Sequence, residues 1–150
     1  MLSSRNKNAE AIMHDCLFCQ IAKGIIPSSP VFESQNLYAF LDLNPANKGH
    51  TLIIPRNHCS DLFDADPELG KELIETMQRI ARALLAVTGA EGFNVIQNNG
   101  RVAGQEINHL HWHIIPRFPN DGFSLWQQHQ YDSKEEMNRL ATAIRLQIPC

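Results

Sequence analysis

The chain has 150 residues, room for one domain with a proper core and too little for two of ordinary size. Apolar residues make up 43% and charged residues 19%, the balance expected of a soluble globular protein. The formal net charge of −3 excludes a general attraction to nucleic acid or to an acidic membrane surface, so a nucleotide partner would need a local site.

No apolar run approaches the ~18 residues needed to cross a bilayer. The stretch 1–13 is polar and lacks the apolar centre of a secretory signal. The expectation is a cytoplasmic protein, with residues 1–15 as a flexible N-terminal extension and 16–150 as a single domain. The cysteines are Cys16, Cys19, Cys59 and Cys150. A stable disulfide is not expected in a reducing compartment, so the close pair Cys16-Leu17-Phe18-Cys19 points to metal binding or redox chemistry.

In chain order, residues 16–23 read as a short helix ended by Gly24, and Pro27-Ser28-Ser29-Pro30 as a loop. Residues 31–33 and 37–41 read as two short strands joined in a hairpin through Ser34-Gln35-Asn36. Residues 51–54 form a β-branched, apolar strand stopped by Pro55. Asp66-Pro67 caps a long helix running to about Thr88, its stripe made by Leu69, Leu73, Met77, Ile80, Leu84 and Val87, and Gly89 closes it. Residues 93–97 are a strand, 98–106 a glycine-containing loop, and 110–115 a strand ending at Pro116. A last amphipathic helix spans 134–146, capped by Ser133, with Leu140 and Ile144 facing inward. Hairpin-like strand pairs around one long helix predict an α+β fold with a central, mainly antiparallel sheet and a C-terminal helix.

The most informative stretch is His109-Leu110-His111-Trp112-His113-Ile114-Ile115-Pro116. On a strand, side chains at i, i+2 and i+4 share a face, so the three imidazoles project together, about 7 Å apart, while Leu110, Trp112 and Ile114 face a core. An accidental surface row would need three of the chain's 7 histidines on one strand face. Two chemical readings follow. Alternating histidines can hold zinc. Alternatively, a neutral imidazole is a good nucleophile at phosphorus, and a flanking imidazole can bind phosphate oxygens and protonate a leaving group.

The loop Asn98-Asn99-Gly100-Arg101-Val102-Ala103-Gly104-Gln105 lies just upstream. Its glycines permit tight turns and close approach to a ligand, and Asn98 and Gln105 supply amides suited to a phosphate. Asp42 stands among apolar residues, where it could cap a turn or accept bonds from ribose hydroxyls.

The sequence resembles the histidine-triad family, close to its Hint-type branch. The residues that carry this are Phe40-x-Asp42-x-x-Pro45, Gly49-His50-x-Leu52-x-Ile54-Pro55-x-x-His58, Gly92-Phe93-Asn94, Asn98-x-Gly100, Ala103-Gly104-Gln105 and His109-x-His111-x-His113. They spread in the family's order over about residues 16 to 117; no such motif covers the last thirty or so.

The resemblance implies the family's fold and an enzyme that hydrolyses or transfers at the α-phosphate of a purine nucleotide. It makes His111 the nucleophile, which forms a nucleotidyl-histidine that water then hydrolyses. His113 would bind a phosphate oxygen or the bridging position, and the backbone carbonyl of His109 would orient the nucleophile. Asp42 matches the ribose-binding acid, Asn98 and Gln105 the phosphate-contacting amides, and Gly104 belongs to the same loop. Phe18, Ile21 and Phe40 would line the base pocket, and His50 would tune the triad's protonation. One departure is Glu106, where related phosphoramidases carry serine; a carboxylate there adds negative charge beside a phosphate and bears on the leaving group.

The resemblance also implies a structural zinc on Cys16, Cys19, His58 and His109, a closed Cys₂His₂ set that would fasten the N-terminal segment to the sheet. Cys59 is a rival ligand. Family members commonly form homodimers through the long helix and a strand. Two other functions are weighed against this one: a catalytic zinc hydrolase using His109, His111 and His113 as ligands, and a non-catalytic nucleotide-binding protein on the same fold.

Overall fold

The structure is a computed structural model that describes residues 16–124 and 126–149, so the expected N-terminal extension and Cys150 lie outside the described residues. A five-stranded sheet is built from β1 (Pro30–Glu33), β2 (Leu37–Leu41), β3 (Thr51–Pro55), β4 (Gly92–Gln97) and β5 (Trp112–Arg117). Its order is β1-β2-β3-β5-β4 and every neighbouring pair is antiparallel. Helix α1 (Leu17–Ala22) precedes the sheet, α2 (Leu69–Thr88) connects β3 to β4, and α3 (Lys134–Gln147) follows β5. Short 3₁₀ turns at Leu62–Asp64 and Arg101–Ala103 complete the connections. The expected α+β architecture is the observed one.

Both central strands β2 and β3 are apolar at consecutive positions because both sheet faces are covered. Leu37, Ala39 and Ile53 pack with Leu110, Trp112 and Ile114 against Leu73, Met77, Ile80 and Leu84 of α2. Tyr38, Phe40, Leu52 and Ile54 face the other way, onto Phe18, Ile21 and Ala22 of α1. Leu37, Ile53, Ile54, Leu110 and Ile114 are each 0% exposed, and such burial is worth about 1.5–3 kcal/mol per side chain.

Four local expectations are corrected. Asp66 accepts from the Glu68 N–H at 3.0 Å within a turn at residues 67–68 and does not cap the helix, which starts at Leu69 with Glu68 as its N-cap and no side-chain cap. Pro55 ends β3 as expected, as its last paired residue, but Pro116 does not stop β5, which pairs through it to Arg117; both sit at ladder positions that need no N–H donor. Val87 is 85% exposed and lies off the buried stripe. Leu140 and Ile144 do not face inward: α3, capped by Ser133 as expected, has no buried residue, so among the described residues nothing covers its stripe.

Candidate active site

The triad strand is less regular than its alternation predicts. The β5 ladder begins only at Trp112, so His109 and His111 precede it outside the ladder, His109 at a bend where its N–H donates to the Ile107 carbonyl at 2.8 Å. Leu110, Trp112 and Ile114 do enter the α2-side core. His111 and His113 lie on the opposite face, but their ring centroids are 4.9 Å apart, nearer than the roughly 7 Å of an ideal strand. His109 turns away from them and is 0% exposed.

His111 and His113 line a cleft of about 400 Å³ on the α1 side. Phe18, Ile21, Phe40 and Leu52 make its apolar wall, while Asp42, Asn98, Gly104 and Glu106 bring polar groups to its rim. Sequence reasoning missed Leu52, which pairs across the ladder with His113, and Ile107; both read as ordinary core or loop residues without the sheet register. It also missed Leu17, Leu43 and Asn44 at the edge.

The hydrogen bonds assign protons. A carbonyl oxygen only accepts, so the 2.7 Å contact between His111 Nδ1 and the His109 carbonyl places the proton on Nδ1. In the neutral ring the lone pair is then on Nε2. The Ala46 N–H donates to His50 Nδ1 at 3.2 Å, so neutral His50 carries its proton on Nε2 and donates it to His113 Nδ1 at 2.9 Å. His113 accordingly keeps its own N–H on Nε2. Burial depresses His50, with Asp42 opposing the shift. Burial, followed by the neighbouring His111 and His50, pushes His113 down to about 4. Asp42 does hold a turn, accepting from the Asn44 N–H at 2.9 Å, while its other oxygen lies 3.7 Å from His50 Nδ1.

Gln105 is not at the cleft wall. Its amide donates to the Ser60 carbonyl at 2.6 Å and to the Ile107 carbonyl at 3.1 Å, and its oxygen accepts from the Gly100 N–H at 2.8 Å. With its hydrogen bonds turned inward and the residue buried, it shapes the 98–106 loop from behind, contrary to a direct phosphate contact. A polar network that no sequence motif marks lies at the end of β5. Arg117 grips Asp121 through Nε at 2.7 Å and Nη2 at 2.8 Å, and Asn47, in the loop leading to His50, donates to Asp121 at 2.9 Å.

Behind the cleft, Cys16, Cys19, His58 and His109 bring one donor atom each to within 4.8 Å of the others, a group that could hold a metal ion. His109 Nδ1 lies 3.3 Å from Cys16 Sγ, 3.5 Å from Cys19 Sγ and 3.3 Å from His58 Nδ1. His109 Nε2–H donates to the Pro55 carbonyl at 2.9 Å, which fixes the ring and leaves Nδ1 as donor to the cluster. Burial, then Cys16, pushes the Cys19 thiol up to about 12, so it ionises only against a compensating positive charge. Cys59 is no ligand here; it belongs to the α2-side core. Among the described residues, His109, His111 and His113 do not converge as one metal-binding group, which removes the geometry a catalytic zinc on those three would need.

The family model described as "HIT domain" matches residues 23–120, across the cleft and all three triad histidines. The chain belongs to the HIT family. It is 37% identical over 136 residues to adenosine 5'-monophosphoramidase hnt1 of Schizosaccharomyces pombe, covering 89% of this chain and 98% of that one. Among solved structures it is similar to a HIT-family protein from Bacillus subtilis, at 37% identity and a TM-score of 0.83, covering 91% of this chain and 99% of that one. It is also similar to a Zn-bound histidine triad family protein from Mycobacterium smegmatis, at 36% identity and a TM-score of 0.71, covering 90% of this chain and 96% of that one. The chain is thus a HIT-family hydrolase.

Proposed function

We propose that this enzyme hydrolyses purine nucleotide derivatives at the α-phosphate, nucleoside 5'-phosphoramidates first, through a nucleotidyl intermediate on His111. The observation that carries this reading is the His111 Nδ1–H bond to the His109 carbonyl, which aims an unprotonated Nε2 at the cleft. Phe18, Ile21 and Phe40 suit a purine, Asp42 the ribose hydroxyls, and Asn98 with the Gly104 loop the phosphate. In the first step His111 Nε2 forms a bond to the α-phosphorus as the phosphorus–nitrogen bond to the amine breaks. His113 Nε2–H, held in that tautomer by His50, donates a hydrogen bond to the phosphate or the bridging nitrogen, and the departing nitrogen, protonated from solvent, leaves as the amine. Water then attacks the same phosphorus, the P–Nε2 bond breaks, and the proton from water is lost to solvent as the nucleoside monophosphate leaves. The name of the yeast relative supports the substrate class.

Zinc fits the rear cluster. A tetrahedral ion with bonds of about 2.3 Å to sulfur and 2.0–2.1 Å to nitrogen separates unlike donors by about 3.5 Å and two nitrogens by about 3.3 Å. The chain's 3.3–3.5 Å spacings agree. Cys16, Cys19, His58 and His109 would hold it with no open position, so its contribution is structural and the residues at the cleft do the chemistry. A homodimer is supported by Phe93 and Val95, 43% and 45% exposed on the edge strand β4; sedimentation would reveal it.

The test is hydrolysis of adenosine 5'-phosphoramidate beside diadenosine polyphosphates by the purified chain. Faster turnover of the phosphoramidate supports the proposal. Preference for dinucleotides would move the leaving-group assignment, and nucleotide binding without turnover of either would favour the non-catalytic reading.

A further inference from the structure

The rear cluster reaches the cleft by three separate routes. His109 is both a cluster donor and the residue whose carbonyl holds His111. Phe18 lies between the two cysteines, and its ring meets those of His109 at 5.9 Å, His111 at 5.2 Å and Phe40 at 5.6 Å while forming part of the cleft wall. His58 begins a segment that supports the phosphate-side loop. There the Ser60 carbonyl accepts from Gln105 at 2.6 Å, and the Leu62 N–H donates to Asn99 Oδ1 at 2.8 Å. One residue on from His58, the Cys59 carbonyl accepts the Leu110 N–H at 2.7 Å, tying the same segment to the triad backbone.

The element most exposed to loss of the cluster is α1. It has 6 residues and no side-chain cap at Cys16, too short to persist as a helix by itself. Its tethers include the two cysteines, the burial of Phe18, Ile21 and Ala22, and a bond from Arg56 to the Ala22 carbonyl at 2.7 Å. Fixing Cys16 and Cys19 to His58 and His109 therefore sets the base wall, the nucleophile's carbonyl and the loop support relative to one another.

We propose that the Cys16–Cys19–His58–His109 cluster and the nucleotide cleft are linked sites: loading the cluster tightens nucleotide binding, and bound nucleotide tightens the metal by the same factor. Reciprocity is required of any such coupling. The inference rests on the reading of the cleft as a nucleotide site and adds a regulatory role to a cluster whose proposed part was only to fasten the fold. Scarcity of the metal would then weaken the enzyme's hold on nucleotide while the reacting groups remain in the chain.

The experiment measures zinc affinity of the full chain by competition with a chromophoric chelator, with and without saturating AMP. AMP affinity is measured by calorimetry on the loaded and the chelator-treated protein. The expected result is a tightening of at least about fivefold in each direction, equal within error. Gln105→Leu keeps all four metal donors and cuts one route, so it should leave zinc affinity without AMP intact and shrink the factor. A factor unchanged in Gln105→Leu would mean that nucleotide merely stabilises the whole fold, and the linkage through these contacts would be overturned. AMP that binds the loaded chain without moving zinc affinity also overturns the linkage while leaving the nucleotide reading intact. AMP that does not bind the loaded chain overturns the nucleotide reading itself.

Discussion

His111 donates from Nδ1 to the backbone carbonyl of His109 at 2.7 Å, while the imidazole of His109 points away, into a cluster with two cysteines and His58. Two histidines of one motif thus serve different sites, joined by a single peptide carbonyl.

Removal of the nucleophile should separate chemistry from binding. His111→Ala is expected to lower turnover of adenosine 5'-phosphoramidate by roughly a thousandfold or more, since covalent catalysis is lost as a unit. AMP affinity, measured by calorimetry, should change little. A variant with near-normal turnover would end the covalent mechanism.

The buried relay predicts a pH dependence of stability. His113 is held at about 4 in the folded chain against an ordinary 6.5. Between those values the unfolded chain binds a proton that the folded chain does not, so stability rises with pH across the window and is lost as pH falls from 6.5 toward 4. Urea midpoints from pH 4.5 to 7.5 should fall less steeply on acidification for His113→Asn than for the wild type.

Gly49 stands directly before His50 with φ of +101°, and a Cβ there would lie 2.9 Å from Leu84 Cδ1 and 3.2 Å from Thr88 Cγ2 of α2. Gly49→Ala combines a left-handed backbone with overpacking and should cost about 1–3 kcal/mol in urea unfolding. Because His50 orients His113, turnover should fall in protein that is still folded.

Glu106 lines the cleft and is exposed, so its carboxylate opposes a negatively charged leaving group. Glu106→Ser should raise turnover of diadenosine polyphosphates relative to the phosphoramidate by a few-fold, about the effect of one partly screened charge. The ratio of the two kcat/KM values reads this directly, and an unchanged ratio removes Glu106 from leaving-group selection.

Metal analysis of the purified chain should find about one equivalent of zinc per chain, absent from Cys16→Ser/Cys19→Ser. That double variant should also melt at lower temperature, since α1 loses two of its tethers.

The order of the main elements and the α+β class were legible in the chain itself, and so was the histidine motif around which the candidate site is built. Alternation around Trp112, the 3–4 spacing of Leu73, Met77, Ile80 and Leu84, and the glycines of the 98–106 loop each record a local period or a backbone requirement. What each polar group does was decided only by tertiary structure, because it depends on partners far away in sequence. Gln105 looks like a phosphate amide until Ser60 and Gly100 take its hydrogen bonds. The tautomer of His113 follows from Ala46 through His50. Leu140 and Ile144 form a helical stripe that nothing among the described residues covers, since periodicity shows which face is apolar and not what meets it.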